Sequence, residues 1–303
     1  MNYYTAPMEG LTDRIWRQVH QKWFGAAGAP ARYYAPFLSP PENRILIKKK
    51  MAELEDAGNA GVPVVPQVLA KDGELAGWFI GEVRKLGCTE VNLNFGCPSG
   101  TVTAKGKGSG MLRDLAKVDA FLDGVFSHAE GPVSVKTRLG VQSAEEFGAI
   151  LAVYNQYPIC ELTIHPRVMR QQYRGQADRA AFAAALPGCR MPVCYNGDLF
   201  DAPAVHAFQA RFPAVERIML GRGLAANPGL IGQLRTGEAP TAAQLQLFHD
   251  RLYAATRARI PDRRALLFRM KEAWRYLGCS FADAERPLRR IRKAQDMAED
   301  DRS

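Results

Sequence analysis

Eight short apolar segments recur along the 303-residue chain, and segments with helical periodicity separate them. The apolar segments cover residues 3–7, 32–34, 63–69, 90–95, 133–138, 160–165, 193–196 and 217–220. The helical patterns cover residues 12–23, 41–55, 73–86, 116–126, 144–154, 179–186 and 202–212. Segment onsets lie about 25 to 40 residues apart, as in repeated βα units. Eight such units predict a (β/α)8 TIM barrel rather than an open sheet.

The last fifth of the chain has a different pattern. No strand pattern follows residue 224, whereas helical patterns cover residues 242–260 and 264–277, and a third begins near Asp283. Apolar residues at helical spacing indicate that these helices pack on one another or on the barrel. We therefore predict a barrel domain over residues 1–238 and a small helical domain over residues 239–303.

The charge is uneven. The net charge is +9, and residues 241–303 carry 14 Lys and Arg against 9 Asp and Glu. A basic surface of this kind suits a phosphate backbone, although a solvated helical face explains it equally well.

The six cysteines contain no Cys-x-x-Cys pair, which argues against a zinc site or a disulfide framework. No apolar run reaches the ~18 residues of a membrane span, and no signal segment is recognisable. A reducing cytoplasm fits best.

The stretch 91–99 ends a predicted strand with Gly-Cys-Pro and leads into a glycine-rich run, residues 100–110, which we expect to be a mobile loop. A thiol where a strand becomes a loop is suited to chemistry. Gly96 permits close approach to the backbone, and Pro98 stiffens the turn that presents Cys97. The alternative is that Cys97 is a small buried core residue, and on these residues alone the two readings are nearly balanced.

Two glycine-containing turns follow the last two predicted strands, at 196–198 and 221–223. Loops after strands 7 and 8 commonly bind phosphate in barrels, because glycines expose backbone N–H groups. Arg222 can add a bidentate contact. The alternative is two ordinary βα turns.

Other polar residues lie at predicted strand ends. Lys136 interrupts an otherwise apolar strand, and a buried lysine is costly unless it is paired with an anionic cofactor or with an acid such as Glu9. His165 ends the sixth strand, where a histidine is often a satisfied core residue. Arg170 and Tyr173 follow it in a polar run, which could also be simply solvated.

The motif Asn-x-Gly-Cys-Pro-Ser at residues 94–99 resembles the active-site signature of the dihydrouridine synthases, flavoenzymes that reduce uridine in transfer RNA. Further segments resemble that family's other signatures in the same order, namely residues 6–10, Gln67, 135–140, 165–167, 196–198 and 221–223. Together they span residues 6 to 223.

This resemblance implies a mechanism and a set of site residues. Flavin mononucleotide (FMN), reduced by NADPH, would deliver hydride from N5 to C6 of a uracil in tRNA, and Cys97 would protonate C5. The residues expected at the cofactor are Pro7, Met8, Glu9, Gln67, Lys136, His165, Asn196, Gly197, Asp198, Gly221 and Arg222. Those expected at the substrate are Asn94, Arg138, Arg170 and Tyr173. We expect a monomer without metal or membrane association.

One position departs from the family. Gly100 stands where a basic residue is frequent, so either a contact is missing or Lys105 and Lys107 replace it. Basic residues expected to hold the RNA backbone also include Arg138 and Arg174, together with Arg289, Arg290, Arg292 and Lys293.

Three alternatives stay open. The chain could be a flavin barrel acting on a free pyrimidine, as dihydroorotate dehydrogenases do, although the basic tail argues against a small substrate. It could be a dihydrouridine synthase that acts on ribosomal RNA. It could also be a catalytically silent RNA chaperone, against which Cys97, Lys136 and His165 argue. The motifs do not encode which uridine is reduced.

Overall fold

A parallel β-barrel surrounded by helices forms the body of the molecule. The computed structural model describes residues 1–54, 64–281 and 283–295. The strands are β1 (Asn2–Thr5), β2 (Arg32–Tyr34), β3 (Val64–Val65), β4 (Gln67–Val68), β5 (Val91–Phe95), β6 (Val133–Gly140), β7 (Leu162–Val168), β8 (Val193–Tyr195) and β9 (Arg217–Leu220). Their order in the sheet is β3-β2-β1-β9-β8-β7-β6-β5-β4, and every pair is parallel.

Pro66 closes the ring. It separates β3, which pairs with β2, from β4, which pairs with β5, so β3 and β4 are two halves of one barrel strand. Proline has no N–H to donate, but its carbonyl accepts a hydrogen bond from the Asn92 N–H at 2.9 Å. Nine hydrogen-bonded segments thus occupy eight barrel positions, which confirms the predicted (β/α)8 barrel. Residue 63, in the predicted third strand, lies outside the described residues.

Helices follow most strands, and aspartates begin several of them. Asp13, Asp72, Asp114, Asp178 and Asp201 each accept a backbone N–H of the first turn through the side chain. The helices are α1 (Arg14–Gly28), α2 (Lys48–Met51), α3 (Gly73–Arg84), α4 (Gly100–Thr103), α5 (Leu115–His128), α6 (Phe147–Tyr154), α7 (Arg179–Ala185), α8 (Ala202–Arg211), α9 (Arg222–Ala226), α10 (Leu230–Thr236), α11 (Ala242–Arg259), α12 (Arg263–Leu277) and α13 (Glu285–Lys293).

Strand alternation separates two layers of side chains. On β5, the apolar Val91, Leu93 and Phe95 join the large core between strands and helices. The intervening Asn92 and Asn94 belong to the opposite face, which points into the barrel. A small cluster fills part of that interior: Tyr4, Ala6, Tyr34, Val65, Cys194 and Met219.

Two predicted segments were wrong. The helix expected over 41–55 is reduced to the four residues of α2. Arg44 adopts a positive φ of 55°, which a right-handed helix excludes, and residues 45–47 after it are not helical either. Residue 55 lies outside the described residues. The glycine-rich run 100–110 is not an open loop: α4 and a 3₁₀ helix at Gly108–Arg113 occupy it, and Ser109 is completely buried.

The C-terminal helices dock on the first βα unit. Arg269 of α12 donates to the Leu11 carbonyl at 2.6 Å and forms an ion pair with Asp13 at 3.0 Å. Phe248 of α11 packs edge-on against Trp16 of α1. The predicted helical region is confirmed, whereas a boundary after residue 238 stays a prediction, and residues 296–303 lie outside those described. In the described ranges, no helix combines the length and apolar character needed to cross a membrane.

Candidate active site

A cleft of about 850 Å³ opens at the carboxyl ends of the barrel strands, and a small cavity of about 70 Å³ adjoins it. This is the end at which barrels carry their active sites. The predicted residues that line the cleft are Pro7, Met8, Glu9, Gln67, Asn94, Cys97, Lys136, Arg138, His165, Tyr173 and Arg222. Those that line only the small cavity are Asn196, Gly197, Asp198 and Gly221. The fold therefore brings together every predicted site residue except Arg170.

The turn that carries Cys97 is held from both sides. The Asn94 Oδ1 accepts hydrogen bonds from the Gly96 N–H at 3.0 Å and from the Cys97 N–H at 2.9 Å. On the other side, the Cys97 carbonyl accepts from the Ser109 hydroxyl at 2.8 Å. A Cβ at Gly108, which has a φ of +57°, would lie 2.8 Å from that carbonyl, so only glycine lets the 3₁₀ helix approach. The thiol is thus presented by a fixed backbone.

The Cys97 thiol is partly buried at the cleft wall. Burial raises its pKa above the ordinary value of 9.0, and Glu9 raises it further. A hydrogen bond from the backbone near Ser99 and the charges of Arg138 and Lys136 act in the opposite direction. The net result is a thiol that stays protonated at neutral pH and can serve as a proton donor.

Asn94 and Gln67 are engaged with one another. The Asn94 Nδ2 donates to the Gln67 Oε1 at 2.6 Å, and the Gln67 Nε2 donates to the Asn92 Oδ1 at 2.7 Å. Each amide nitrogen keeps a second N–H. Their predicted contacts with cofactor and substrate must therefore use the donors and lone pairs that remain.

Lys136 places an ammonium group at the cleft without an anionic partner. In the described part of the chain, no ion pair involves it, so the alternative of a structural bridge to Glu9 is not realised. Burial, reinforced by the nearby charge of Arg138, lowers the pKa of Lys136 to about 8. A cation held in this way is costly in the absence of an anion and suits an anionic ligand.

A second cationic group is organised by Asp198. Its two carboxylate oxygens accept from Arg167 at 2.8 and 2.6 Å, and from Arg222 at 2.7 Å. Burial alone would raise the pKa of Asp198, but the hydrogen bonds from Arg167 and from the Ala177 N–H lower it. The Asp198 side chain therefore anchors the two arginines.

His165 is buried among these cations. Its Nε2 lies 3.1 Å from the Arg167 Nη1, which can only donate, so the proton of the neutral ring resides on Nδ1. Burial, together with the charges of Lys136, Arg138, Arg167 and Arg222, holds its pKa well below the usual 6.5. The ring is neutral at physiological pH.

Arg138 links the Cys97 turn to the loop after β7. Its Nε donates to the Gly96 carbonyl at 2.9 Å, and its Nη1 donates to the carbonyls of Val168 at 3.1 Å and Gln172 at 2.7 Å. The side chain is buried, so it positions loops and faces the cleft.

Tyr173 stands at the mouth of the cleft and is 59% exposed. The guanidinium groups of Arg138 and Arg222 lie 5.5 and 5.1 Å from its ring centroid, and the His165 ring lies 6.2 Å away. An exposed aromatic ring supported by two cations offers a stacking face to a planar ligand.

The two glycine turns lie side by side beyond β8 and β9. Asn196 ties the first turn to β9, since its Nδ2 donates to the Met219 carbonyl at 2.8 Å. A Cβ at Gly223 would lie 2.3 Å from the Leu199 carbonyl, so this glycine permits the close approach. Arg222, anchored by Asp198, borders the cavity between the turns. The donors present fit a phosphate group.

The structure also shows what the sequence patterns left out. Arg170 is exposed and lies near Glu146, away from the cleft. In contrast, Glu272, Arg275 and Tyr276 of α12 form part of the cleft wall, although only the apolar stripe of α12 was visible in the sequence. No local signal indicated them, because their place depends on how α12 docks.

The chain is similar to proteins named as tRNA-dihydrouridine synthases. A probable tRNA-dihydrouridine synthase of Rickettsia conorii is 29% identical over 253 residues, covering 80% of this chain and 73% of the relative. A tRNA-dihydrouridine synthase B of Pseudomonas aeruginosa is 29% identical over 245 residues, covering 79% and 72%.

Solved structures share the fold at low identity. Morphinone reductase in complex with tetrahydroNAD superposes with a TM-score of 0.54 and 12% identity, covering 80% of this chain and 89% of that one. An old yellow enzyme homologue from Zymomonas mobilis gives a TM-score of 0.54 and 8% identity, covering 80% and 91%. The family model described as dihydrouridine synthase matches residues 4–300. Because that match spans nearly the whole chain, the protein belongs to the dihydrouridine synthase family of enzymes.

Proposed function

We propose that this enzyme reduces the C5=C6 bond of a uridine in tRNA to 5,6-dihydrouridine, with FMN as cofactor and NADPH as reductant. One observation carries the proposal: Lys136, which forms no ion pair with any carboxylate in the described ranges, and the thiol of Cys97 line the same cleft at the barrel mouth. Membership of the family supports the reaction, and the names of the relatives support tRNA as substrate.

The residues present fit the cofactor. The glycine turns and Arg222 would hold its phosphate, and Lys136 would offset the negative charge of a reduced ring. Met8 and Pro7 offer apolar surface, and Gln67 offers amide groups to the ring edge. When bound and reduced by NADPH, FMN supplies the hydride that C6 of the uracil accepts.

Cys97 completes the reduction. C5 must gain a proton as C6 gains the hydride, and the Cys97 S–H supplies it and becomes a thiolate. Arg138 and Lys136 stabilise that thiolate, since their charges lower the pKa of Cys97. Solvent then returns a proton to the sulfur.

The RNA would be held outside the cleft. A uracil must leave its stack to enter, which costs a few kcal/mol, and the exposed ring of Tyr173 offers it a new contact. We assign the phosphate contacts mainly to the C-terminal helices and to Lys105 and Lys107. We further propose that residues 1–238 bind FMN, that residues 239–303 bind RNA, and that the protein acts as a monomer in the cytoplasm.

The direct test is to reconstitute the purified protein with FMN and supply NADPH or NADH with tRNA from cells lacking this gene. Mass spectrometry of the digested RNA should show dihydrouridine at one position. Ribosomal RNA and free orotate serve as competing substrates. Dihydrouridine in ribosomal RNA alone, or reduction of the free pyrimidine alone, would overturn the proposal in favour of the corresponding alternative.

A further inference from the structure

A continuous chain of hydrogen-bonded side chains crosses the barrel interior from its floor to the Cys97 turn. Beyond Asn92, which accepts from Gln67, the Asn92 Nδ2 donates to the Ser134 Oγ at 3.0 Å. The Ser134 hydroxyl in turn donates to the Glu90 Oε1 at 2.6 Å. These side chains, from Asn94 to Glu90, are called the polar relay below. All but Asn94 are buried.

The barrel register places these residues in contact. Gln67, Asn92 and Ser134 are direct partners across the neighbouring strands β4, β5 and β6. Glu90 and Asn94 lie two residues before and after Asn92, so strand alternation puts all three side chains on the same face. The relay therefore runs across the sheet through Gln67, Asn92 and Ser134, and along the direction of β5 through Glu90, Asn92 and Asn94.

Every hydrogen bond of the relay is donated in the same direction, from Asn94 towards Glu90. It begins at two groups that can only donate, the backbone N–H groups of Gly96 and Cys97, which reach the Asn94 Oδ1. It ends at Glu90, whose carboxylate also forms an ion pair with Arg32 at 2.8 Å. Because an ionised carboxylate can only accept, both ends require the same orientation of every amide and hydroxyl between them.

We propose that Glu90, Ser134 and Asn92 are positioning residues that fix the orientation of the Gln67 and Asn94 amides and, through Asn94, hold the turn presenting the Cys97 thiol. A reversed Gln67 amide would place N–H groups against the Asn94 Nδ2, and the two donors would repel. The relay thus determines which donor and acceptor atoms Gln67 and Asn94 can offer to the cleft. Their catalytic consequence rests on the function proposed above.

The test measures the reactivity of Cys97 in the protein without cofactor. Iodoacetamide alkylation of the Cys97 peptide is followed by mass spectrometry in the wild type, Ser134→Ala, Asn94→Ala and the double variant. We expect Ser134→Ala to change the alkylation rate about two- to tenfold in the wild-type background and to have no further effect when Asn94 is already alanine. Such non-additivity requires a connection through Asn94.

The matched control is Thr5→Val. Thr5 is a buried residue of β1 on the face opposite the interior side chains Tyr4 and Ala6, and its Oγ1 has no hydrogen-bond partner in the described structure, so its loss should leave the rate unchanged. An unchanged rate in folded Ser134→Ala, an equal effect of Ser134→Ala in both backgrounds, or an equal effect of Thr5→Val would overturn the proposal. Should Ser134→Ala fail to fold, Glu90→Gln enters the same cycle, since it keeps the volume and replaces a group that can only accept with one that can also donate.

A second readout separates positioning from simple destabilisation. In the loaded enzyme, Ser134→Ala should slow single-turnover reduction of tRNA two- to tenfold and leave the RNA dissociation constant unchanged. A rise in the RNA dissociation constant at unaltered turnover would contradict a positioning role. Because alkylation needs no activity, failure of the relay and failure of the proposed function are distinguishable.

Discussion

Cys97 differs from the other cysteines in what surrounds it. Cys160 and Cys189 also have raised pKa values, about 12 and about 11, because of burial, and Cys194 is completely enclosed in the barrel. Among the described cysteines, only Cys97 has three properties together. It lines the cleft, its backbone N–H and carbonyl are both hydrogen-bonded, and two cations flank its thiol. Its environment, rather than its residue type, suits it to proton transfer.

We predict that Cys97→Ala retains FMN and RNA binding and is still reduced by NADPH, but that its reoxidation by tRNA slows by roughly 10²–10⁴-fold, the usual contribution of a positioned acid. Stopped-flow absorbance of the flavin in single turnover measures this. The Cys189→Ala variant, which removes a thiol on the outer layer, is the control. A near-normal rate in Cys97→Ala would remove the thiol from the mechanism.

The same thiol predicts a pH dependence. Because burial raises its pKa above 9.0, the acid form persists through neutral pH and is lost only as the pH rises through the raised value. The single-turnover rate with wild-type enzyme should therefore be flat near pH 7 and decline only above about pH 9. A decline centred below pH 8 would show that the thiol is not the limiting acid.

Lys136 should cost stability in the absence of cofactor. A pKa lowered from 10.5 to about 8 corresponds to a destabilisation of up to about 3 kcal/mol, less to the extent that water reaches the ammonium. We predict that Lys136→Met raises the melting temperature of the protein without cofactor at pH 7 and weakens FMN binding at least tenfold. The methionine is one atom shorter than lysine, keeps an unbranched side chain and removes the charge.

The sign of this effect can be checked by pH. Below pH 8 Lys136 is charged in the folded and the unfolded chain, so its penalty is complete. Between pH 8 and 10.5 the folded lysine is already neutral, and the penalty fades. The difference in melting temperature between variant and wild type should shrink over that interval, and a lower melting temperature for the variant at pH 7 would instead indicate a structural lysine.

At the scale of elements, one strand organises both the relay and the cationic face of the cleft. On β6, alternate side chains belong to the same face, from Ser134 at the level of the relay, through Lys136, to Arg138 at the Cys97 turn. Their partners change along the strand: Ser134 meets the Asn92 amide, Arg138 meets backbone carbonyls, and Lys136 between them is the residue to which we assign the anionic cofactor. The chemistry of the cleft thus follows from the two-residue period of a strand in a closed barrel.

Helix α13 presents the basic cluster expected to meet RNA. Ile291 is buried, whereas Arg289, Arg290, Arg292 and Lys293 are exposed. We predict that changing these four residues to alanine lowers tRNA affinity at least tenfold, leaves FMN content unchanged, and flattens the slope of log affinity against log salt.

Fluorescence anisotropy over a salt series measures both quantities. The control is Lys85→Ala with Lys117→Ala, which removes two exposed lysines from helices around the barrel. An unaltered slope in the α13 variant would identify the cluster as an ordinary solvated surface.

At the scale of the molecule, the cleft is closed on one side by the barrel loops and on the other by α12. Because Glu272, Arg275 and Tyr276 contribute to its wall, the docking of the C-terminal helices shapes the entrance. In the function proposed above, base insertion and backbone contact use different parts of the chain, and a large RNA can satisfy both together.

We therefore predict that kcat/KM for full-length tRNA exceeds that for a short single-stranded RNA containing the same uridine by at least a hundredfold at about 50 mM salt. The advantage should fall as salt rises, because phosphate contacts are screened and counterions are no longer released favourably. Dihydrouridine formation in both RNAs, measured by mass spectrometry at 50 and 200 mM salt, provides the comparison. Equal efficiencies at both salt concentrations would contradict recognition outside the cleft.

The sequence by itself determined the barrel and most of the site. Strand alternation and the spacing of βα units are local properties, and parallel strands in a barrel present their carboxyl ends together, so residues such as Cys97, Lys136 and His165 had to meet. Aspartates before the helical segments fixed where several helices begin, because capping is also a local interaction. The sequence pattern did not predict that the helix after β2 is only the short α2. The backbone of Arg44 before it adopts a positive φ, which arginine seldom takes.

Only the tertiary structure decided what each site residue does. Asp198 stands in a phosphate-type turn, yet the fold brings Arg167 and Arg222 to it, and it becomes their anchor. Arg138 is a cation like Arg170, but its strand carries it under the Cys97 turn, whereas Arg170 remains outside the cleft. The relay from Glu90 depends on register between neighbouring strands. Hydrogen bonds and charge interactions join residues far apart in sequence, so their partners are set by the distances that the closed barrel imposes.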